Sequence, residues 1–210
     1  MKKLAVLGLA IAVSAITLQA QAEEKKPKAE FNPAASVQLG AGAFEVKAGL
    51  GQWENNSHSM IYVSHFQSDD TTYVDGTDIG KTKYSSTRLG VEVNSYRTGK
   101  AKDSALRGGL FVYKNDSDLN IDRYGVGLSL SPAVMLGDKI QVYAGLDLMP
   151  EFLSTDWDAE ALLEYEAHAG VSFRATPNVD VGVNYRIGRT LDSTSVGFYS
   201  LPMLEVSLRM

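Results

Sequence analysis

Residues 178–189 read Asn178-Val179-Asp180-Val181-Gly182-Val183-Asn184-Tyr185-Arg186-Ile187-Gly188-Arg189. Val179, Val181, Val183, Tyr185 and Ile187 take alternate positions, and Asp180, Gly182, Asn184, Arg186 and Gly188 lie between them. A period of two sends successive side chains to opposite faces of a β-strand, so this strand has one apolar and one polar face. In a soluble β-sandwich the apolar face would be core. In a membrane β-barrel it meets lipid and the polar face lines the lumen.

The N-terminus favours lipid. Met1-Lys2-Lys3 precedes the apolar run Leu4 to Leu18, and Ala20-Gln21-Ala22 has the small-x-small form of a cleavage site. This is the pattern of a secretory signal peptide over 1–22. Residues 23–34, opened by Glu23-Glu24-Lys25-Lys26-Pro27-Lys28, then read as a charged, disordered lead-in to a barrel over 35–210. Apart from Leu4 to Leu18, no apolar run approaches the roughly 20 residues of a spanning helix. A closed barrel crosses a bilayer without one, because every backbone group in it is paired.

Removal of 1–22 leaves 188 of the 210 residues, and 18 basic against 25 acidic side chains, a net charge of −7. That balance argues against nucleic acid as a partner. With no cysteine there is no disulfide framework and no thiolate chemistry. Nothing calls for a cofactor.

Ten segments have strand character: 35–41, 43–52, 57–67, 84–97, 104–114, 122–133, 139–150, 162–175, 178–189 and 200–210. Connections 54–56, 98–103, 134–138 and 176–177 are short, whereas 68–83, 115–121, 151–161 and 190–199 are longer and richer in Asp, Ser and Thr. Outer-membrane barrels have short periplasmic turns and longer external loops, so the alternation predicts an outer-membrane location with both termini periplasmic. At Gly40-Ala41-Gly42 the apolar phase switches. A tight turn there makes ten strands and a bulge makes nine; eight requires the first hairpin to leave the wall. Ten is the even count that the turn predicts.

With apolar faces outward, Leu89, Val91, Val93, Leu106, Leu110, Val112, Leu128, Leu130, Val142, Leu146, Val171, Phe173, Leu204, Val206 and Leu208 face lipid, with no charge among these stretches. The inward face carries Glu45, Glu92, Asp147, Glu166, Asp180 and Glu205 against Lys47, Arg88, Arg107, Arg174, Arg186 and Arg209, with His168 beside them. Unpaired buried charge is costly, so this balance predicts a salt-bridged, largely plugged lumen and no wide pore.

Residues 123–186 resemble the YfaZ family of outer-membrane proteins. The likeness rests on Tyr124-Gly125-Val126-Gly127-Leu128-Ser129-Leu130, Gln141-Val142-Tyr143-Ala144-Gly145-Leu146, Met149-Pro150-Glu151-Phe152-Leu153-Ser154, Tyr165 to Phe173 and Val181 to Arg186. The resemblance implies an envelope barrel and no defined activity. The chain end is also similar to the alternating C-terminal signal read by the outer-membrane assembly machinery, through Leu204, Val206, Leu208 and Met210; that signal ordinarily ends in an aromatic residue. Outer-membrane lipid and lipopolysaccharide are the partners expected of such a barrel.

Three function classes follow: a non-enzymatic barrel with a structural, binding or narrow-channel duty; a lipid hydrolase or acyltransferase; and a soluble periplasmic sandwich. The second requires a histidine, a hydroxyl and an acid to converge at the outer rim. His65, near Ser64 and Asp69, is the candidate base, whereas His58 and Ser59 fall beside a predicted periplasmic turn. No lipase or acyltransferase motif supports the enzyme, so the reading leans towards the first class. Asp116, Asp118, Asn120 and Asp122 alternate as calcium-loop ligands do, but Ile121 stands where the loop needs glycine. They read as an acidic external loop, as do Asp69, Asp70, Asp75 and Asp78.

Overall fold

The computed structural model describes residues 31–54, 57–96, 104–119, 122–157, 162–191 and 195–210. The predicted signal peptide and most of the lead-in lie outside them. Among the described residues there are eleven strands: β1 (Asn32–Gly40), β2 (Ala43–Glu54), β3 (Ser57–Val74), β4 (Thr77–Tyr96), β5 (Ser104–Ser117), β6 (Arg123–Leu136), β7 (Ile140–Pro150), β8 (Ser154–Trp157), β9 (Leu163–Thr176), β10 (Val179–Leu191) and β11 (Val196–Arg209). Ten of them pair antiparallel with their chain neighbours, and β1 pairs with β11 to close the ring. β8 stays outside this ring and pairs with the upper end of β6, beyond where β7 stops at Pro150. The single closed sheet excludes the sandwich.

Turn chemistry explains the count. Ala41-Gly42, with Gly42 at φ +77°, is a tight turn between β1 and β2, so the phase switch is a corner and not a bulge. Strand β1 begins at Asn32, three residues before the pattern placed it. The expected long loop 68–83 is absent. Strands β3 and β4 run on to Val74 and from Thr77, joined by Asp75 (φ +50°) and Gly76 (φ +77°). Two central residues with positive φ make the type I′ turn that suits strand twist, for which Asp-Gly is a strong signal.

Call the end carrying both termini the near end. At the far end the short β1–β2 hairpin stops early, and β11 reaches across it to pair with β3 at Val196↔Val74 and Gly197↔Tyr73. Asp75 and Asp70 reinforce that seam by accepting from the backbone N–H groups of Ser195 and Ser200, both at 2.9 Å.

Apolar side chains cover the outside: Val63, Leu89, Val93, Leu106, Leu130, Val183 and Leu204 are each at least half exposed. The outward row on β6 runs from Val126 to Leu136. Ten steps of about 3.3 Å, tilted about 40°, span about 25 Å, the height of a barrel's lipid-facing band. Charge is absent from the middle of this face but not from its far end, where register puts Lys83, Lys114, Asp116 and Arg189 outside. The outward stretches read as free of charge stay so, and these four residues lie beyond them, where the strands continue past the apolar band.

Candidate functional site: the barrel lumen

All thirteen side chains assigned inward by alternation (Glu45, Lys47, Arg88, Glu92, Arg107, Asp147, Glu166, His168, Arg174, Asp180, Arg186, Glu205 and Arg209) line one internal cavity of about 230 Å³. Seven strands deliver them, β2, β4, β5, β7, β9, β10 and β11, and they meet because directly opposed residues of an antiparallel sheet share a face.

The near end is the mouth. Here Arg209 donates to Asp180, and Arg174 Nε lies 3.6 Å from the same carboxylate, with 22–40% of these side chains exposed. Further in, Lys47 donates to Glu92 Oε2 at 2.6 Å and sits 4.0 Å from the centre of the Tyr62 ring. His58 Nε2 is 3.9 Å from Glu92. Tyr143 donates to Glu205 Oε2 (2.8 Å), and Asn184 Nδ2 to Gln38 Oε1 (3.1 Å).

The floor is a chain of alternating charge strung from β2 to β7. Arg186 donates to Glu45 Oε2 at 2.7 Å and, through Nε and Nη2, to Glu166 Oε1. Arg88 donates to Glu166 Oε2 (3.1 Å) and to Asp147 Oδ2 (2.5 Å). Tyr199 gives Glu166 a further bond at 2.6 Å. Arg186 lies 4.6 Å over Phe66 and Arg88 lies 4.8 Å over Phe111, so aromatic faces fill the space between the ions. Each ion keeps a partner, as a low-dielectric interior requires.

Above the floor the far end is filled. Phe66, Tyr84, Phe198 and Tyr199 stack with ring centres 4.7–6.3 Å apart, joined by Val196, Leu201 and Met203. Arg123 and Glu164 bond to each other inside this cap, and Glu164 also accepts from Tyr84 (2.7 Å) and Asn115 (3.0 Å). Their side chains are at most 2% exposed. Among the described residues the lumen is thus a vestibule with a partly exposed mouth and a filled end above Glu166.

Sequence reasoning missed several members. Arg123 and Glu164 obey the same alternation as Arg88 and Glu166, but lay at the edges of the assigned strands. His58, read as a turn residue, points inward, while Ser59 is exposed. Phe198 and Tyr199 are both buried because a register shift opposite Gly188 and Arg189 turns two successive side chains inside.

Other candidates separate. His65 Nδ1 lies 2.9 Å from Thr87 Oγ1 on the outer face, whereas Ser64 is buried in the lumen. No acid contacts that pair, so the third member of a triad is missing among the described residues. His168 packs edge-on against Tyr143, its Nδ1 4.0 Å from Glu166. Asp116 pairs with Lys114 (2.9 Å), Asp118 accepts from the Lys83 backbone N–H (3.1 Å), and Asn120 lies outside the described residues. Among the described residues no cluster of three metal-ligating side chains forms.

No family model and no curated protein matches the chain. Several solved structures do. OmpT of Vibrio cholerae, expressed in the outer membrane, is 13% identical over 83% of this chain and 64% of its own, with a TM-score of 0.38. The KdgM porin is 8% identical over 84% and 98%, at 0.41. Neisserial surface protein A is 13% identical over 86% and 94%, at 0.33. The chain therefore spans 64% of the length of OmpT. Likeness at this level attaches no activity to the chain.

Proposed function

We propose that this chain is a small barrel of the bacterial outer membrane whose lumen is a plugged, single-mouthed vestibule, with both termini and the mouth in the periplasm. Its duty is structural or binding, not diffusion. The observation that carries this reading is the filled far end, where Tyr84, Phe198, Arg123 and Glu164 are each at most 1% exposed. The orientation draws support from the strands β3, β4 and β11, which extend past the band at the far end, where outer-membrane barrels carry more chain. Outer-membrane lipid and lipopolysaccharide cover the outer face. Leu204, Val206, Leu208 and Met210, all exposed, present the closing strand to the assembly machinery. The YfaZ-like motifs agree with the reading, since they fall on β6, β7, β9, β10 and the short turn Glu151–Leu153.

Cell fractionation with heat-modifiable gel migration tests the location, and planar-bilayer conductance tests the plug. The protein is expected in the outer-membrane fraction, shifting on heating, with no steady conductance. A soluble, non-shifting product would sink the barrel, and a stable open-channel current would sink the sealed vestibule. Acyl transfer at the rim has one observation in its favour, the His65–Thr87 pair. Phospholipid turnover abolished by Thr87→Ala would establish it.

A further inference from the structure

We propose that the far rim carries a seat for the phosphate of an anionic lipid headgroup, built around Arg189. The inference rests on the membrane-spanning reading. It requires no particular orientation.

Arg189 is the outward residue that follows Val181, Val183, Tyr185 and Ile187 on β10. Apolar surface continues around it: Tyr165 is directly opposite on β9, and Leu191, the next outward residue, is 56% exposed and faces Leu163. A guanidinium so placed has lipid on one side. The cost of such a charge falls from about 2–4 kcal/mol at mid-bilayer to about 0–1 near the interface. A partner from the lipid phase removes what remains. Among the described residues the Arg189 guanidinium has no hydrogen bond and no ion pair, whereas Lys114 on the same face is neutralised by Asp116 at 2.9 Å.

The wall beside Arg189 is notched. Opposite it on β11 is Gly197, and opposite Gly197 on β3 is Tyr73. A Cβ on Gly197 would stand 3.7 Å from Arg189 Nε and 3.9 Å from Tyr73 Cβ, so the glycine leaves a slot between the two side chains. The slot belongs to a hollow of about 190 Å³ bounded by Tyr73, Gly76, Arg189, Ser195 and Gly197. Two carboxylates lie on the hairpin beyond Tyr73, each held by backbone: Asp75 accepts from the Ser195 N–H and Asp78 from the Gly80 N–H. An anion therefore approaches Arg189 from the lipid side. A planar guanidinium matches a phosphate with two parallel hydrogen bonds, and acyl chains continue down over Ile187 and Tyr185.

The test folds the full chain into phosphatidylcholine vesicles with and without a minor fraction of phosphatidylglycerol. Native mass spectrometry then counts the phospholipid retained after extraction into detergent. The native protein is expected to retain phosphatidylglycerol selectively. Arg189→Gln should retain about fivefold less, the scale of one basic side chain at an anionic surface. Arg189→Lys should be intermediate. Gly197→Val, which keeps the charge and fills the slot, should lose retention too. Lys139→Gln, in the near-end turn, should match the native protein. Equal retention by Arg189→Gln and the native chain overturns the proposal, as does complete displacement by inorganic phosphate, which would mark a free-anion hollow. Heat-modifiable migration of each variant shows folding. A chain that never enters the vesicles defeats the membrane reading itself, whereas an embedded chain that retains no anionic lipid defeats only this inference.

Discussion

Replacing Arg186 by methionine removes the guanidinium that joins two carboxylates in the floor. Methionine keeps an unbranched stem over Phe66, so the packing loss is small. Glu166 retains Arg88 at 3.1 Å and Tyr199 at 2.6 Å. Glu45 fares worse, because Arg186 at 2.7 Å is its one ion pair among the described residues. Breaking a buried pair from one side costs about 3–5 kcal/mol, most of it the uncompensated charge left behind. Glu45 borders the cavity with 11% of its side chain exposed, so water relieves part of this cost and the lower end, about 3 kcal/mol, is expected. Urea titration in detergent micelles, scored by heat-modifiable migration, reads the loss. At a slope of roughly 2 kcal/mol per M the midpoint falls by about 1.5 M. Adding Glu45→Gln to Arg186→Met removes the stranded charge and should recover about half of that shift. An unchanged midpoint in the single variant, or a double variant that falls by the sum of the two singles, would refute the alternating chain as the element holding the floor.

Three further outcomes follow from the two faces and the turns. Val183→Arg, on an outward residue that is 58% exposed, should cost about 2–4 kcal/mol in a bilayer, and folding into vesicles should drop while secretion continues. Gly145→Ala places a Cβ against the His168 ring on the neighbouring strand, so overpacking of about 1–3 kcal/mol should appear as a lowered urea midpoint. Gly76→Ala meets no neighbour within 4 Å but holds φ at +77°, so only backbone strain of about 1 kcal/mol is expected, with faster proteolytic nicking at the β3–β4 tip.

The lumen was legible because alternation is a local property. Once one face of a strand is apolar, the residues between must face the other way, and this placed thirteen side chains in the cavity without any knowledge of strand partners. The partners were not legible. Arg186 finds Glu45 across 141 positions, and Arg88 finds Asp147 across 59, because the ring closes at β1 and β11. Alternation also fails where strands do. The bulge at Phe198-Tyr199 hides half of the aromatic cap. The alternating pattern stops seven residues before β3 does, because Ser68-Asp69-Asp70-Thr71-Thr72 has the composition of a loop. Beyond the apolar band neither face must be apolar, so a strand there lacks the stripe that reveals it, and only Asp75-Gly76 marked the true turn.

The floor raises the question why a lumen this tightly filled is ionic at all. Well-packed apolar residues of similar volume often match or exceed a buried ion pair in stability. The far cap shows that this wall can hold such packing, with Phe66, Leu201 and Met203 buried together. A strand apolar on both faces, however, would have no preferred side, and slipping its register by one residue would cost little. Charges at Glu45, Arg88, Asp147, Glu166 and Arg186 make each slip expensive by turning an ion towards lipid. They also break the apolar runs that would drive an unfolded chain to aggregate before insertion. On this argument the floor sacrifices some stability for a single register. The cap, where the β3–β11 seam adds a further constraint, carries fewer charges and keeps one buried pair, Arg123 with Glu164, among its rings.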